Sequence, residues 1–213
     1  MKRVFDLIVS IISVAILSPI FLVIAILIKV NSRGPVIYKQ YRVGKDNKEF
    51  LIYKFRSMKM DAPEVASMAL NNPDCYITTV GKVIRKTSLD ELPQLINIIK
   101  GDMSLVGPRP VINDESEKEL LRLRTKYEIS SLVPGLTGWA QINGRDDMSI
   151  KRKIVLEKEY KERQNFAFDL KIIFLTFFKV LKQEGIANSK SGSKEIQYVK
   201  EESYISKQFE DII

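Results

Sequence analysis

Asp90 and Glu91 are adjacent carboxylates within GKVIRKTSLDELPQLINIIKGDMSLVGPRP, the run from Gly81 to Pro110. Cations surround them in sequence: Lys82, Arg85 and Lys86 come before, and Arg109 follows between Pro108 and Pro110. The remaining inventory narrows what such a group can do. The chain has no histidine, which removes Ser-His-Asp and Cys-His nucleophiles and any His-ligated metal. A single cysteine removes an internal disulfide and a Cys-cluster zinc site. Neither GxxxxGK[ST] nor GxGxxG occurs, so the common nucleotide loops are absent. An enzyme built from this chain must work with carboxylates, arginines and a hard, oxygen-bound cation such as Mg²⁺. That set suits phosphoryl transfer.

The same residues also read as an ordinary helix start. Ser88 with Glu91 three residues on makes a capping box that would begin a helix at Leu89. A start at Asp90 instead would bring Pro93 into the permitted first turn. In either register a helix N-terminus faces a position where phosphate could bind. Leu92, Leu95, Ile96 and Ile99 follow the i, i+3, i+4, i+7 spacing of one buried face.

KTSLDELPQLINIIKGDMSLVGPRP, with IYKFRSM upstream and PGLTGWAQINGRD downstream, resembles the bacterial sugar transferases, or monotopic phosphoglycosyl transferases. The resemblance covers about residues 1–185, and several long motifs in the right order make it specific. It implies transfer of a sugar 1-phosphate from a UDP-sugar to a polyprenyl phosphate such as undecaprenyl phosphate, at the cytoplasmic face of a bacterial membrane. Small members of the family suggest an N-acetylated hexose as the sugar. The chain resembles the minimal catalytic module, without the multi-span N-terminal region of larger members. From the family's Asp-Glu dyad, Asp90 is expected as nucleophile, forming a sugar-phosphoryl aspartate with release of UMP. Local chemistry alone does not separate it from Glu91. Asp90 and Glu91 together are the expected Mg²⁺ ligands, and Arg85 and Arg109 are expected on phosphoryl oxygens. Arg145 is the next candidate for phosphate or nucleotide contact, because PGLTGWAQINGR belongs to the family's active-site region.

The elements that must carry these residues read as follows. Leu7 to Ile28 is 22 residues without a charge, enough to cross a bilayer. A spanning helix is the simplest reading. Ser18-Pro19 falls near its middle, however, and Lys2, Arg3, Lys29, Arg33, Lys39, Arg42 and Lys45 put basic residues on both flanks. A helix that bends at the proline and returns to the same face meets both facts, and the resemblance implies it too. Residues 1–30 are therefore expected as a re-entrant membrane helix, 31–185 as a catalytic domain and 186–213 as a tail.

Val36 to Val43 and Phe50 to Phe55 predict a β-hairpin, with Lys54 and Arg56 on one face as a cationic strip for substrate. A short helix with loops is expected over 61–80, and Cys75 as a packing residue. Glu115 to Ile129 predicts an amphipathic helix with Leu120, Leu123 and Tyr127 inward and its charges in solvent. Pro134 to Arg145 reads as a glycine-rich loop, and Ser149 to Arg163 as a helix. Phe166 to Glu184 is an apolar helix, either core or membrane-interfacial, with Lys171, Lys179 and Lys182 within an arc of about 80°. The expected fold is a mostly helical α+β domain.

A formal charge of +8 calls for an acidic partner: phosphates, an anionic lipid surface or nucleic acid. Nucleic acid is not expected, since the charge is dispersed and no binding motif occurs. A non-catalytic membrane-surface adaptor would use the same anchor and charge, and UMP release from UDP-sugars discriminates it from the enzyme.

Overall fold

β-branched and aromatic residues on either side of a polar turn build the hairpin. In the computed structural model, which describes residues 1–62, 75–144 and 148–181, β1 (Ile37–Val43) and β2 (Glu49–Phe55) pair antiparallel from Ile37↔Phe55 to Val43↔Glu49. The connecting 3₁₀ turn Lys45–Asn47 places Asp46 and Asn47 at φ 55° and 59°. Asn and Asp tolerate that left-handed region better than other side chains. The hairpin lies within a residue of its expected bounds, in a mostly helical α+β chain.

The chain packs as two compact units. One holds Met1–Gly44, Lys48–Leu105 and Pro110–Asn113, and the other holds Lys45–Asn47, Val106–Arg109 and the chain from Asp114 onward. In the first unit, α1 (Lys2–Asn31) packs with β2, α2 (Thr79–Lys86) and α3 (Gln94–Lys100). Its core is Ile24, Ile28, Phe55 and Ile84, with Phe21, Val36, Ile37, Val80, Leu89 and Leu92 against it. α3 presents Gln94, Leu95, Asn97 and Ile98 inward, which corrects the expected face, since Ile96 is exposed. The cause is Asn97, a polar residue that apolar spacing cannot reveal. Its Oδ1 accepts from the Tyr53 N–H at 3.0 Å and its Nδ2 donates to the Leu51 carbonyl at 2.6 Å. Asn97 thus serves the edge of β2 that β1 leaves unpaired. The short helix expected over 61–80 falls mainly on 63–74, outside the described residues, and α2 begins only at Thr79. Cys75 is exposed, not a packing residue.

α1 continues through Pro19. A proline there deprives the Ala15 carbonyl of its i+4 donor, and the Ser18 hydroxyl donates to that carbonyl at 2.8 Å. Both ends of α1 are fixed in the first unit. At the start, Arg3 donates to the Ile98 and Ile99 carbonyls, and buried Asp6 accepts from Ser104 Oγ at 2.8 Å. At the finish, Ile24 and Ile28 enter the core, while Arg56 donates to the Ser32 and Arg33 carbonyls at 2.8 and 2.9 Å. Between them, residues 11–23 contain no buried side chain, and Ile16 is 70% exposed.

The second unit contains β4 (Gly135–Thr137), α4 (Lys118–Lys126), α5 (Trp139–Asn143), α6 (Ile150–Arg163) and α7 (Phe166–Leu181). Gly107, just after β3 (Ser104–Val106), donates to the Thr137 carbonyl of β4 at 2.9 Å. The stretch expected as a glycine-rich loop therefore holds a strand and a short helix. Gly107 and Gly135 permit this, because a Cβ on either would collide with backbone of the other segment. α4 begins three residues later than expected, after an Asp114 side-chain turn that accepts from Ser116 Oγ and the Glu117 N–H. Not all its charges are solvated, because Arg124 is buried.

α6 matches its predicted bounds, with Ser149 Oγ capping the Arg152 N–H. α7 buries Phe168, Asp169 and Ile172 and exposes Phe166, Leu170, Phe174, Phe177 and Phe178. Its two described lysines both face α5. Lys179 donates to the Gln141 and Ile142 carbonyls at the end of α5, Lys171 sits 5.9 Å from the Trp139 ring, and residue 182 lies outside the described residues.

Candidate active site

α2 is started by Thr78, whose Oγ1 accepts from the Gly81 N–H at 2.9 Å, and it carries Arg85 in its last turn. The chain then turns at Ser88, which lies in the left-handed region at φ 56°, ψ 16°. A 3₁₀ turn, Leu89–Glu91, follows, and α3 opens after Pro93 at φ −61°. The expected capping box does not form. Left-handed Ser88 makes no side-chain cap; instead its backbone carbonyl accepts from the Glu91 N–H at 3.2 Å. Pro93 sits just before α3, where its missing N–H costs no helix bond.

A 3₁₀ turn has three residues per turn, so i and i+3 share a side. Leu89 and Leu92 accordingly both pack on the core of the first unit, which leaves Asp90 and Glu91 off the core side. Both carboxylate residues are half-buried. Lys54 of β2 donates to Glu91 Oε1 at 2.8 Å, with the two side chains 19% and 18% exposed. Screening at that depth is only partial, so the pair is worth more than an open surface pair, on the order of 1 kcal/mol or somewhat above. Arg56, the other expected member of the strip, is buried at the end of α1 with two donors on carbonyls. That burial pushes its guanidinium below the ordinary arginine pKa.

The first unit thus joins Glu91 to Lys54 on a turn that also carries Asp90, with Arg85 in the last turn of the helix just before it. Among the described residues no cluster of three Asp, Glu, Cys or His side chains occurs. Among those residues the Leu89–Glu91 turn carries two carboxylates adjacent in sequence, Asp90 and Glu91. This fits Mg²⁺, which keeps waters and takes further oxygens from substrate phosphates, and does not fit a closed zinc site.

Arg109 belongs to the second unit. It is exposed, in a run otherwise buried from Met103 to Val111. Its backbone is held at several points. The Val106 carbonyl lies 3.3 Å from Tyr160 Oη and shares its proton with Asp169, while the Pro108 carbonyl accepts from the Gly135 N–H at 2.9 Å and the Arg109 carbonyl from Arg124 Nη2 at 3.0 Å. Arg124 is paired in turn with Glu157, Nε to Oε2 at 2.7 Å, and Tyr160 Oη donates to Asp169 Oδ1 at 2.7 Å. Arg145 lies outside the described residues.

The family described as bacterial sugar transferase matches residues 1–183. The chain belongs to that family. It is 42% identical over 190 residues to the UDP-glucose:undecaprenyl-phosphate glucose-1-phosphate transferase of Escherichia coli, covering 84% of this chain and 40% of that protein. To an uncharacterized sugar transferase, EpsL, of Bacillus subtilis it is 41% identical over 187 residues, 87% of this chain and 90% of that one. A UDP-N-acetylgalactosamine-undecaprenyl-phosphate N-acetylgalactosaminephosphotransferase of Aeromonas hydrophila is 39% identical over 186 residues, 84% and 43% of the two chains. The chain therefore spans about two fifths of the larger relatives and nine tenths of the small one. The Leu89–Glu91 turn, the GPRP loop and α1 all lie inside the matched residues. Asn97, Arg124, Glu157 and Tyr160 were not singled out from sequence. Nothing in hydrophobic spacing marks a polar residue that will be buried with a partner distant in the chain.

Proposed function

We propose that this protein transfers a sugar 1-phosphate from a UDP-sugar to undecaprenyl phosphate, through a covalent aspartyl intermediate. The observation that carries the reading is the Leu89–Glu91 turn, which holds Glu91 on Lys54 with Asp90 next to it, in a chain of this family. An Asp90 carboxylate oxygen attacks the sugar-proximal phosphorus, forming a new P–O bond. The bond from that phosphorus to the bridging oxygen breaks, and UMP leaves with the electron pair. An oxygen of undecaprenyl phosphate then attacks the same phosphorus and releases Asp90, giving the lipid diphosphate sugar. Lys54 holds Glu91 in place, while Arg85 and Arg109 neutralise phosphate oxygens, each contributing a few kcal/mol where water is excluded. Asp90 and Glu91 would hold a Mg²⁺ ion, which supplies charge neutralisation as anion approaches anion. The relatives differ in their named sugars, glucose and N-acetylgalactosamine. An N-acetylated hexose is our choice for this chain.

The reading includes placement at the cytoplasmic face of the membrane through a re-entrant α1. Its two ends are packed into one unit while its middle exposes apolar side chains. A segment whose ends share one folded unit has both ends on one side of a bilayer, so its middle enters and returns. The exposed phenylalanines of α7 by themselves suit a membrane interface. The discriminating experiment is UMP release from a panel of UDP-sugars with no lipid acceptor. The unaltered protein should give a burst of up to one UMP per protein, and Asp90→Asn should give none. A burst from Asp90→Asn at the normal rate contradicts the covalent route and favours direct attack by the lipid phosphate.

A further inference from the structure

A buried Arg–Glu pair is an expensive way to join two helices, since apolar residues of similar size often do as well or better. In the second unit, Arg124 of α4 and Glu157 of α6 are 7% and 4% exposed. What this pair supplies that apolar packing cannot is a directed donor. A guanidinium is a planar fork with fixed donor directions. Here Nε and Nη2 engage Glu157, and Nη2 also reaches the Arg109 carbonyl. Glu157 therefore sets the plane of Arg124, and Arg124 sets the peptide of Arg109. Tyr160, one turn further along α6, shares its single hydroxyl proton between buried Asp169 at 2.7 Å and the Val106 carbonyl at 3.3 Å, and so adds a weaker hold at the loop's other end. Only the Arg109 side chain emerges from this buried stretch.

We infer that Arg124, oriented by Glu157 and assisted by Tyr160, is a positioning residue that holds Arg109 ready for phosphate. This rests on the reading of Arg109 as a phosphate ligand. A long side chain on a wandering loop spends binding energy on being ordered, whereas a fixed backbone lowers that cost. Arg124 touches no substrate in this account, and its whole effect passes through Arg109.

The test is a double-variant cycle read by binding of UDP in Mg²⁺ buffer to the full chain in lipid nanodiscs. Arg109→Ala should weaken UDP at least tenfold. Arg124→Lys, which keeps the charge opposite Glu157 but loses the planar fork, should weaken it three- to tenfold while melting within a few degrees of the parent. In the Arg109→Ala background the same Arg124→Lys change should alter affinity by less than about 1.5-fold. Equal losses in the two backgrounds, or no loss in either, overturn the positioning role. Tyr160→Phe, which keeps the ring and removes only the hydroxyl, should show the same dependence on Arg109 and decides the matter if Arg124→Lys does not fold. If Arg109→Ala binds UDP normally, the phosphate-ligand reading itself fails and takes this inference with it. Should Arg109→Ala weaken binding while the other variants do not, only the inference falls.

Discussion

Replacing Asn97 with alanine should cost far more than its position on a short helix implies. Asn97 is fully buried, and its amide is the partner of two backbone groups on β2, the Tyr53 N–H at 3.0 Å and the Leu51 carbonyl at 2.6 Å. Alanine leaves a donor and an acceptor unsatisfied where water has poor access. Each such group costs about 1–3 kcal/mol, so the sum is about 2–6 kcal/mol before any cavity cost. In a chain of this size one kcal/mol moves the melting temperature by about 2–4 °C. A loss near 3 kcal/mol would then lower it by about 6–12 °C, measured by differential scanning fluorimetry in one fixed detergent. Asn97→Asp is the sharper control, because it keeps volume and an acceptor but replaces the donor facing the Leu51 carbonyl with an oxygen. It should be no better than alanine at neutral pH. Asn97→Ala melting within 2 °C of the parent would refute the assignment of Asn97 as the edge partner of β2.

Ser88→Gly should raise stability by up to about 1 kcal/mol and Ser88→Val should lower it by about 1–2 kcal/mol or more, since only glycine meets a left-handed φ without strain; chemical denaturation of the pair checks the sign. Turnover should fall to background in excess EDTA, return with Mg²⁺ or Mn²⁺, and ignore zinc-selective chelators; full activity in EDTA would remove the cation from the account. Changing Ser18 and Pro19 to leucine should favour a straight span and carry residue 1 across the membrane. Cysteine labelling near residue 2 in intact cells should therefore detect the variant from outside, and labelling of the parent there would sink the re-entrant topology.

The parts of this fold that local rules govern were legible in the sequence. Runs rich in β-branched and aromatic residues on either side of the polar stretch 45–48 marked the hairpin, and Ser149 marked the start of α6. The carboxylate pair stood out because the chain holds so few other reactive side chains. What failed did so through competition between local and tertiary bonds. Ser88 and Glu91 carry the letters of a capping box, but Leu89 and Leu92 are drawn to the core together, which a 3₁₀ turn satisfies. Asn97, Arg124 and Glu157 look like surface residues until their partners, 33 to 46 positions away, are known. Arg56 shares a strand-like alternation with Lys54, yet α1 ends where its guanidinium can reach the last carbonyls. Polar burial depends on the fold, so periodicity alone does not report it.

The central claim is that Asp90 becomes covalently attached to the sugar phosphate. The direct measurement is peptide mass spectrometry of the protein quenched after mixing with each UDP-sugar and Mg²⁺, with no lipid acceptor present. The account predicts a mass increase equal to one sugar phosphate on the peptide containing Asp90, absent from Asp90→Asn and lost when undecaprenyl phosphate is added. An adduct mapped to another residue, or turnover to product with no adduct on the quenched protein, would contradict it.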